Sequence, residues 1–181
     1  MSMIKKPLLM AKEYVAGTLR AGELAIDATA GNGYDTLFLA QQVGDTGKVF
    51  SFDIQEKALQ KTRQLLETEK LAHRVKLICC SHEYLANHIN GQQVGAIMFN
   101  LGYLPGGDHS IVTRPETTIK AMGAGLAKLK NGGLLTAVLY SGHAGGLEEK
   151  NAVLNYAASL EQKSYHVLHY DIINKSGFPP S

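Results

Sequence analysis

"AIDATAGNGYDT", residues 25–36, runs an apolar stretch into an acid and then into a glycine-rich turn. Such a turn between a buried strand and a helix lets a ligand reach the backbone N–H groups with no side chain in the way. "LAIDAT" reads as the strand, and Asp35 can cap a helix beginning "TLFLAQQV", which "GDTG" ends. Before it, Ile4, Leu8, Ala11, Val15 and Leu19 recur at spacings of three and four, an amphipathic helix over residues 4–19.

The alternation continues downstream. "KVFSFDI" is a second strand, and residues 56–71 carry Ala58, Thr62, Leu65 and Leu66 on one helical face. "RVKLICC" is a third strand, "SHEYLANHIN" a short and partly helical piece, and "VGAIMFN" a fourth strand. It opens into a long loop, "LGYLPGGDHSIVTRP", and long loops in small domains tend to carry function. Pro115 starts a helix with Ile119, Met122, Leu126 and Leu129 on one side, although Gly123 and Gly125 count against it. "GGLLTAVLY" is a fifth strand, residues 147–160 a helix, and "YHVLHYDII" a sixth strand. Strand–helix alternation on short turns predicts an α/β fold, a Rossmann-like, doubly wound and mostly parallel sheet. Residues 1–181 read as a single domain, with the helix of residues 1–20 packed on the sheet. Right-handed crossovers put the ligand-bearing turns at the carboxyl edge of that sheet.

Composition narrows the function. Hydrophobic residues make up 45% and charged residues 19%, as in an ordinary globular chain, and no apolar run reaches the roughly 20 residues of a membrane span. The amino terminus, "MSMIKKPLLMAKEYV", lacks the long apolar core of a secretion signal. Cys79 and Cys80 are adjacent on a strand, where they cannot pair with each other, and read as two buried free thiols of a cytoplasmic protein. With a net charge of +2 the chain is less basic than a protein that holds a long duplex normally is. Lys5, Lys6 and Lys12, and a second basic group from Lys57 to Lys76 interrupted by glutamates, read as solvated helix faces. No histidine or cysteine spacing imitates a metal site, so no metal is expected.

Two nucleotide ligands compete for the turn. The dinucleotide fingerprint G-x-G-x-x-G fails at its last position, where Thr36 stands. A diphosphate at that helix start would also be repelled by Asp27, four residues before Gly31. S-adenosylmethionine, with an ammonium, a sulfonium and no phosphate, suits D-x-x-x-G-x-G better. Asp27 then attracts the ammonium, directly or through water, while Gly31 and Gly33 admit the methionine part. Asp53 ends the second strand about 20 residues on, where a carboxylate can accept both ribose hydroxyls. Gln55 adds an amide near the ribose or adenine, Ser81 or His82 can reach the adenine, and Asp35 joins the cofactor set.

The fourth strand ends in Asn100-Leu101-Gly102-Tyr103, similar to the N-P-P-Y loop of amine-directed methyltransferases, with Leu101 and Gly102 in place of the prolines. Methyl transfer to nitrogen needs a neutral lone pair aimed along the sulfur–carbon bond. A neutral acceptor such as Asn100 can orient an amine without locking it as the ammonium ion. Tyr103, Asp108, His109, Arg114, Tyr140 and His143 would rim the acceptor pocket, with His143 as base or substrate contact. No side chain suits a covalent mechanism, because Cys79 and Cys80 precede the site.

"DATAGNGYDTLFLA", "FDIQ", "FNLGYLPGGD", "SIVT.PETT" and "YSGHAGG" together resemble a small bacterial rRNA-methylase-like family. Its better-understood branch methylates tRNA 5-aminomethyl-2-thiouridine at the wobble position. The resemblance implies that fold, S-adenosylmethionine as cofactor, and 5-methylaminomethyl-2-thiouridine as product. It also implies cofactor contacts at Asn32, Asp53, Gln55 and His82, and acceptor contacts at Asn100 and Tyr103. An anticodon stem-loop is a small footprint of splayed bases, compatible with the near-neutral charge. A homodimer is compatible as well. Such folds close with a further strand, and "GFPPS" stops where it would begin, so the final strand is expected to be missing or truncated. An rRNA or small-molecule methyltransferase, and a non-catalytic cofactor- or RNA-binding module, remain the other readings.

Overall fold

Apolar runs too short for helices pair side by side in the structure, a computed structural model that describes residues 4–89, 91–104, 106, 110–172 and 174. The strands are β1 (Leu24–Asp27), β2 (Lys48–Asp53), β3 (Val75–Cys79), β4 (Val94–Leu101) and β5 (Leu129–Leu139). They form one five-stranded sheet in the order β3-β2-β1-β4-β5, and every pairing is parallel. The helices are α1 (Pro7–Thr18), α2 (Tyr34–Val43), α3 (Glu56–Thr68), α4 (Pro115–Leu126) and α5 (Gly146–Ala158), with 3-10 turns at Ala72–Arg74 and His82–His88. From β1 the chain winds outward through β2 and β3, then returns to place β4 on the other side of β1. The order reverses between β1 and β4, and a crevice opens beyond their carboxyl ends.

Both faces of the sheet are covered, which is why β1 is buried at every position. Ile26, Phe52, Ile97 and Phe99 face one layer with Leu85, Met122 and Val153. The alternate residues Ala25, Val49, Ala96 and Met98 face the other, with Val15, Leu19, Leu39 and Leu66.

Several expectations shift. α1 starts at Pro7 and leaves Ile4 63% exposed; of the expected apolar set Val15 and Leu19 are buried, and Leu8 and Ala11 half-buried. α4 buries Thr118, Ala121, Met122 and Gly125, while Ile119 and Leu126 are only half-buried and Leu129 already belongs to β5. Gly125 survives in α4 because a Cβ there would stand 2.8 Å from Ile97 Cδ1; the helix lies against the sheet at backbone distance. Cys79 is exposed and Cys80 half-buried, because β3 is an edge strand with one side open.

The expected sixth strand is absent among the described residues: 165–172 form no ladder. A strand is a pairing, and among the described residues this stretch has no neighbouring strand and no buried face, with Val167 53% and Leu168 69% exposed. "GFPPS", on which the expectation of a missing final strand rests, lies outside the described residues.

Candidate active site

Asp27 ends β1 and is withdrawn from water. Its Oδ1 accepts the Thr29 N–H at 3.0 Å and its Oδ2 the Thr36 hydroxyl at 2.6 Å, and Ser51 Oγ lies 2.7 Å from Thr36 Oγ1. The crevice lining begins one residue later, at Ala28. Asp27 therefore braces the turn from behind, one residue short of the crevice lining. Burial, and after it the nearby Asp35 carboxylate, raise the Asp27 carboxyl to about 7.

Gly31 and Gly33 both take left-handed backbone, with φ of 54° and 87°. At Gly33 a Cβ would meet Thr62 Cα at 2.9 Å, so the turn closes onto α3 only without a side chain. Asp53 then clamps the turn: its Oδ2 accepts the Gly31 N–H and its Oδ1 the Gln55 N–H, each at 2.9 Å. Burial raises its carboxyl above the ordinary value despite those bonds. Lone pairs remain on both oxygens, and the carboxylate lines the crevice.

Asn32 accepts a 3.4 Å contact from Lys61 Nζ. Ser81 Oγ takes the Glu83 N–H at 3.4 Å as the cap of the 3-10 turn. His82 stands edge-on to Phe99, its Nδ1 3.2 Å from the Ala28 carbonyl. Burial lowers its pKa, which keeps the ring neutral. Since the carbonyl can only accept, Nδ1 carries the proton and Nε2 is an acceptor, buried with no hydrogen-bond partner. Ile54, 57% exposed on the lining beside Asp53, has no counterpart in the sequence reading; an apolar residue directly after a strand-ending acid is the signal that could have found it.

Across the crevice, Asn100 donates its backbone N–H to Thr29 Oγ1 at 2.8 Å and its Nδ2 to Asp35 Oδ2 at 3.2 Å. Gly33, not Asp35, occupies the N-cap of α2. Asp35 sits in the first turn instead and pairs through Oδ1 with Lys12 Nζ at 2.8 Å. With its amide N–H₂ turned to that carboxylate, Asn100 is left with Oδ1 as a neutral acceptor on the crevice wall.

Tyr103 bridges Val112 in antiparallel fashion, and the Thr113 N–H donates to the Gly102 carbonyl at 3.0 Å, so the long loop folds back on itself. The Tyr103 ring meets His143 edge-on, centroids 5.7 Å apart. His143 Nδ1 lies 3.0 Å from the Ala144 carbonyl, and Nε2 is buried over Gly146, where a Cβ would come within 2.9 Å. The histidine thus supports the aromatic wall as well as lining the crevice. Arg114 and Tyr140 line it too, while Asp108 and His109 fall outside the described residues.

Glu149 has no counterpart in the sequence reading. It is 2% exposed and accepts the Thr113 hydroxyl at 2.5 Å and the Thr118 hydroxyl at 2.7 Å, tying the loop to α4 and α5. Both threonines belong to the "SIVT.PETT" motif, but their partner lies more than thirty residues away in sequence.

The profile of the family described as "Putative rRNA methylase" matches residues 49–181. The chain belongs to this family. A protein-L-isoaspartate(D-aspartate) O-methyltransferase profile also matches residues 2–84. A chloroplastic tRNA (mnm(5)s(2)U34)-methyltransferase of Arabidopsis thaliana is 36% identical over 166 residues, 87% of this chain and 61% of that protein. The chain thus spans less than two thirds of that relative's length. Among solved structures, one described as a "putative rRNA-methylase" from Clostridium thermocellum is 44% identical with a TM-score of 0.95, covering 98% of this chain and 95% of its own. A protein described as "a putative methyltransferase" from Streptococcus mutans, solved in complex with SAH, is 39% identical with a TM-score of 0.89 and the same coverages. The rRNA methylase family and the five-stranded parallel sheet agree on a class I methyltransferase fold.

Proposed function

We propose that the protein methylates the exocyclic aminomethyl nitrogen of the tRNA wobble uridine, converting 5-aminomethyl-2-thiouridine to 5-methylaminomethyl-2-thiouridine with S-adenosylmethionine as donor. One observation carries the choice of nitrogen: Asn100, held by Asp35 through its N–H₂, keeps an uncharged Oδ1 for the crevice. The name of the Arabidopsis thaliana relative supports the wobble uridine as the acceptor.

The residues present fit the cofactor. His82 Nε2 is a buried acceptor without a partner on the crevice lining, suited to an amino N–H of adenine. Asp53 keeps lone pairs for two ribose hydroxyls, and the Gly31–Gly33 turn admits the rest without a Cβ in the way. When bound, S-adenosylmethionine supplies an electrophilic methyl group on a sulfonium.

The protein's work is positioning and charge control. An aliphatic amine titrates near 10.4 in water by analogy with lysine, so most of it arrives protonated at neutral pH. Enclosure in the crevice beside Tyr103 disfavours the charged form, and Asn100 Oδ1 accepts one N–H while the lone pair points at the methyl carbon. Methyl transfer to that lone pair would leave the S–C bonding electrons with the donor's sulfur. One proton then leaves the new ammonium for water, and no enzyme adduct is needed.

The test is transfer from labelled S-adenosylmethionine to tRNA lacking only this methyl group, with the tRNA digested to nucleosides. Label is expected in 5-methylaminomethyl-2-thiouridine. Label in unmodified rRNA and none in tRNA would move the acceptor to rRNA, and transfer to neither would remove the reading.

A further inference from the structure

Lys12 enters the sequence only as one lysine of a basic amino terminus, yet its ammonium reaches 2.8 Å from Asp35. The side chain leaves α1, passes 5.3 Å from the centre of the Phe38 ring, and meets a carboxylate already bonded to Asn100. Both partners are largely withdrawn from water, with side-chain exposures of 22% for Lys12 and 7% for Asp35. An exposed pair of this kind does little. This one stands directly behind the residue that receives the acceptor amine.

Several groups share the space around Asp35. Lys12 approaches from α1 and Asn100 from β4; the Asp27 carboxyl at the end of β1 and the Tyr140 hydroxyl just after β5 both feel the Asp35 charge. Tyr103 and His143 close the rim. Lys12 is the cation paired with Asp35 in this group. An uncompensated carboxylate here would stabilise a bound ammonium, the form of the amine that cannot accept a methyl group.

We propose that Lys12 cancels the charge of Asp35 at the acceptor subsite, so that the amine held by Asn100 binds as the neutral base. The amino-terminal helix thereby sets the pH dependence of methyl transfer. Lys12 and Asp35 are positioning residues in this scheme, acting through Asn100 and through the field at the amine. The inference rests on the amine reading under Proposed function.

A charge cycle tests it. Single-turnover rates against pH are compared for the wild type, Lys12→Met, Asp35→Asn and the double variant on tRNA bearing the aminomethyl group. The acidic limb of Lys12→Met should move up by about one pH unit, a tenfold loss of rate on that limb, and that of Asp35→Asn should move down. The double variant should return towards the wild-type limb, and Lys12→Arg should keep it. Thermal melting and cofactor titration accompany each variant. Should Lys12→Met not fold, Lys12→Gln removes the same charge and is expected to move the limb in the same direction. Coincident limbs, or shifts of one sign in both single variants, overturn the role of Lys12. A wild type that leaves the aminomethyl nitrogen unmethylated overturns instead the reading beneath it.

Discussion

Asn100 at the end of β4 donates its side-chain N–H to Asp35 in the first turn of α2, at 3.2 Å and across 65 positions of sequence. The bond joins the two sides of the crevice where the strand order reverses, and it decides which atom of the amide is left free on the crevice wall. A carboxylate can only accept, so the amide nitrogen turns towards it and the oxygen is left over.

Replacing Asn100 with alanine removes that oxygen without touching the cofactor side. The expected result is a loss of about 10²–10³ in kcat, the range for deleting one oriented polar contact to a reacting group. Cofactor affinity by calorimetry should stay within a factor of two or so, because Gly31, Asp53 and His82 remain. Undiminished turnover would remove Asn100 from the reaction.

Gly33→Ala should destabilise the fold. It combines a φ of 87° with a Cβ only 2.9 Å from the Thr62 backbone, which a small side-chain rotation cannot relieve. A cost of roughly 2–4 kcal/mol follows from backbone strain plus overpacking. The melting temperature should fall by several degrees, read by calorimetry, and a wild-type melt would show that the turn has room to relax.

Asp27 makes stability depend on pH. Its folded pKa of about 7 lies above the ordinary value of 3.8. Between those values the native state binds more protons than the unfolded one, so this group's contribution falls as pH rises from about 4 to 7 and is level above. The slope is at most about 1.4 kcal/mol per pH unit. Asp27→Asn cannot titrate, and its stability relative to wild type should improve steadily from pH 5 to pH 7 in urea unfolding. A difference that stays constant over that range would place the Asp27 pKa elsewhere.

Thr113→Val should loosen the long loop. It removes one of the two hydroxyls that Glu149 accepts and keeps the shape of the side chain. With the proposed tRNA substrate, KM should rise, by about tenfold if the loss of one part-buried hydrogen bond to Glu149 is felt wholly at that loop. Cofactor affinity should not move. A fall in both affinities together would mean that Glu149 supports the whole site, not the loop alone.

The sequence by itself determined the five strands of the sheet, their helical connections and the place of the crevice. Each rests on local information: a short apolar run, a helical period, and a glycine turn whose neighbours are seen within a dozen residues. The pairing of an acid at the end of β1 with another at the end of β2 was legible for the same reason. Only the tertiary structure decided what those side chains face. It turned Asp27 inward onto Thr29 and Thr36, and brought Lys12, Asp35 and Asn100 together from three elements. It set Glu149 under a loop more than thirty residues earlier, and left 165–172 unpaired despite a strand-like pattern. The reason is common to all of them: a hydrogen bond, an ion pair or a strand needs a partner, and partners are chosen by the packing of distant segments, which no local period records.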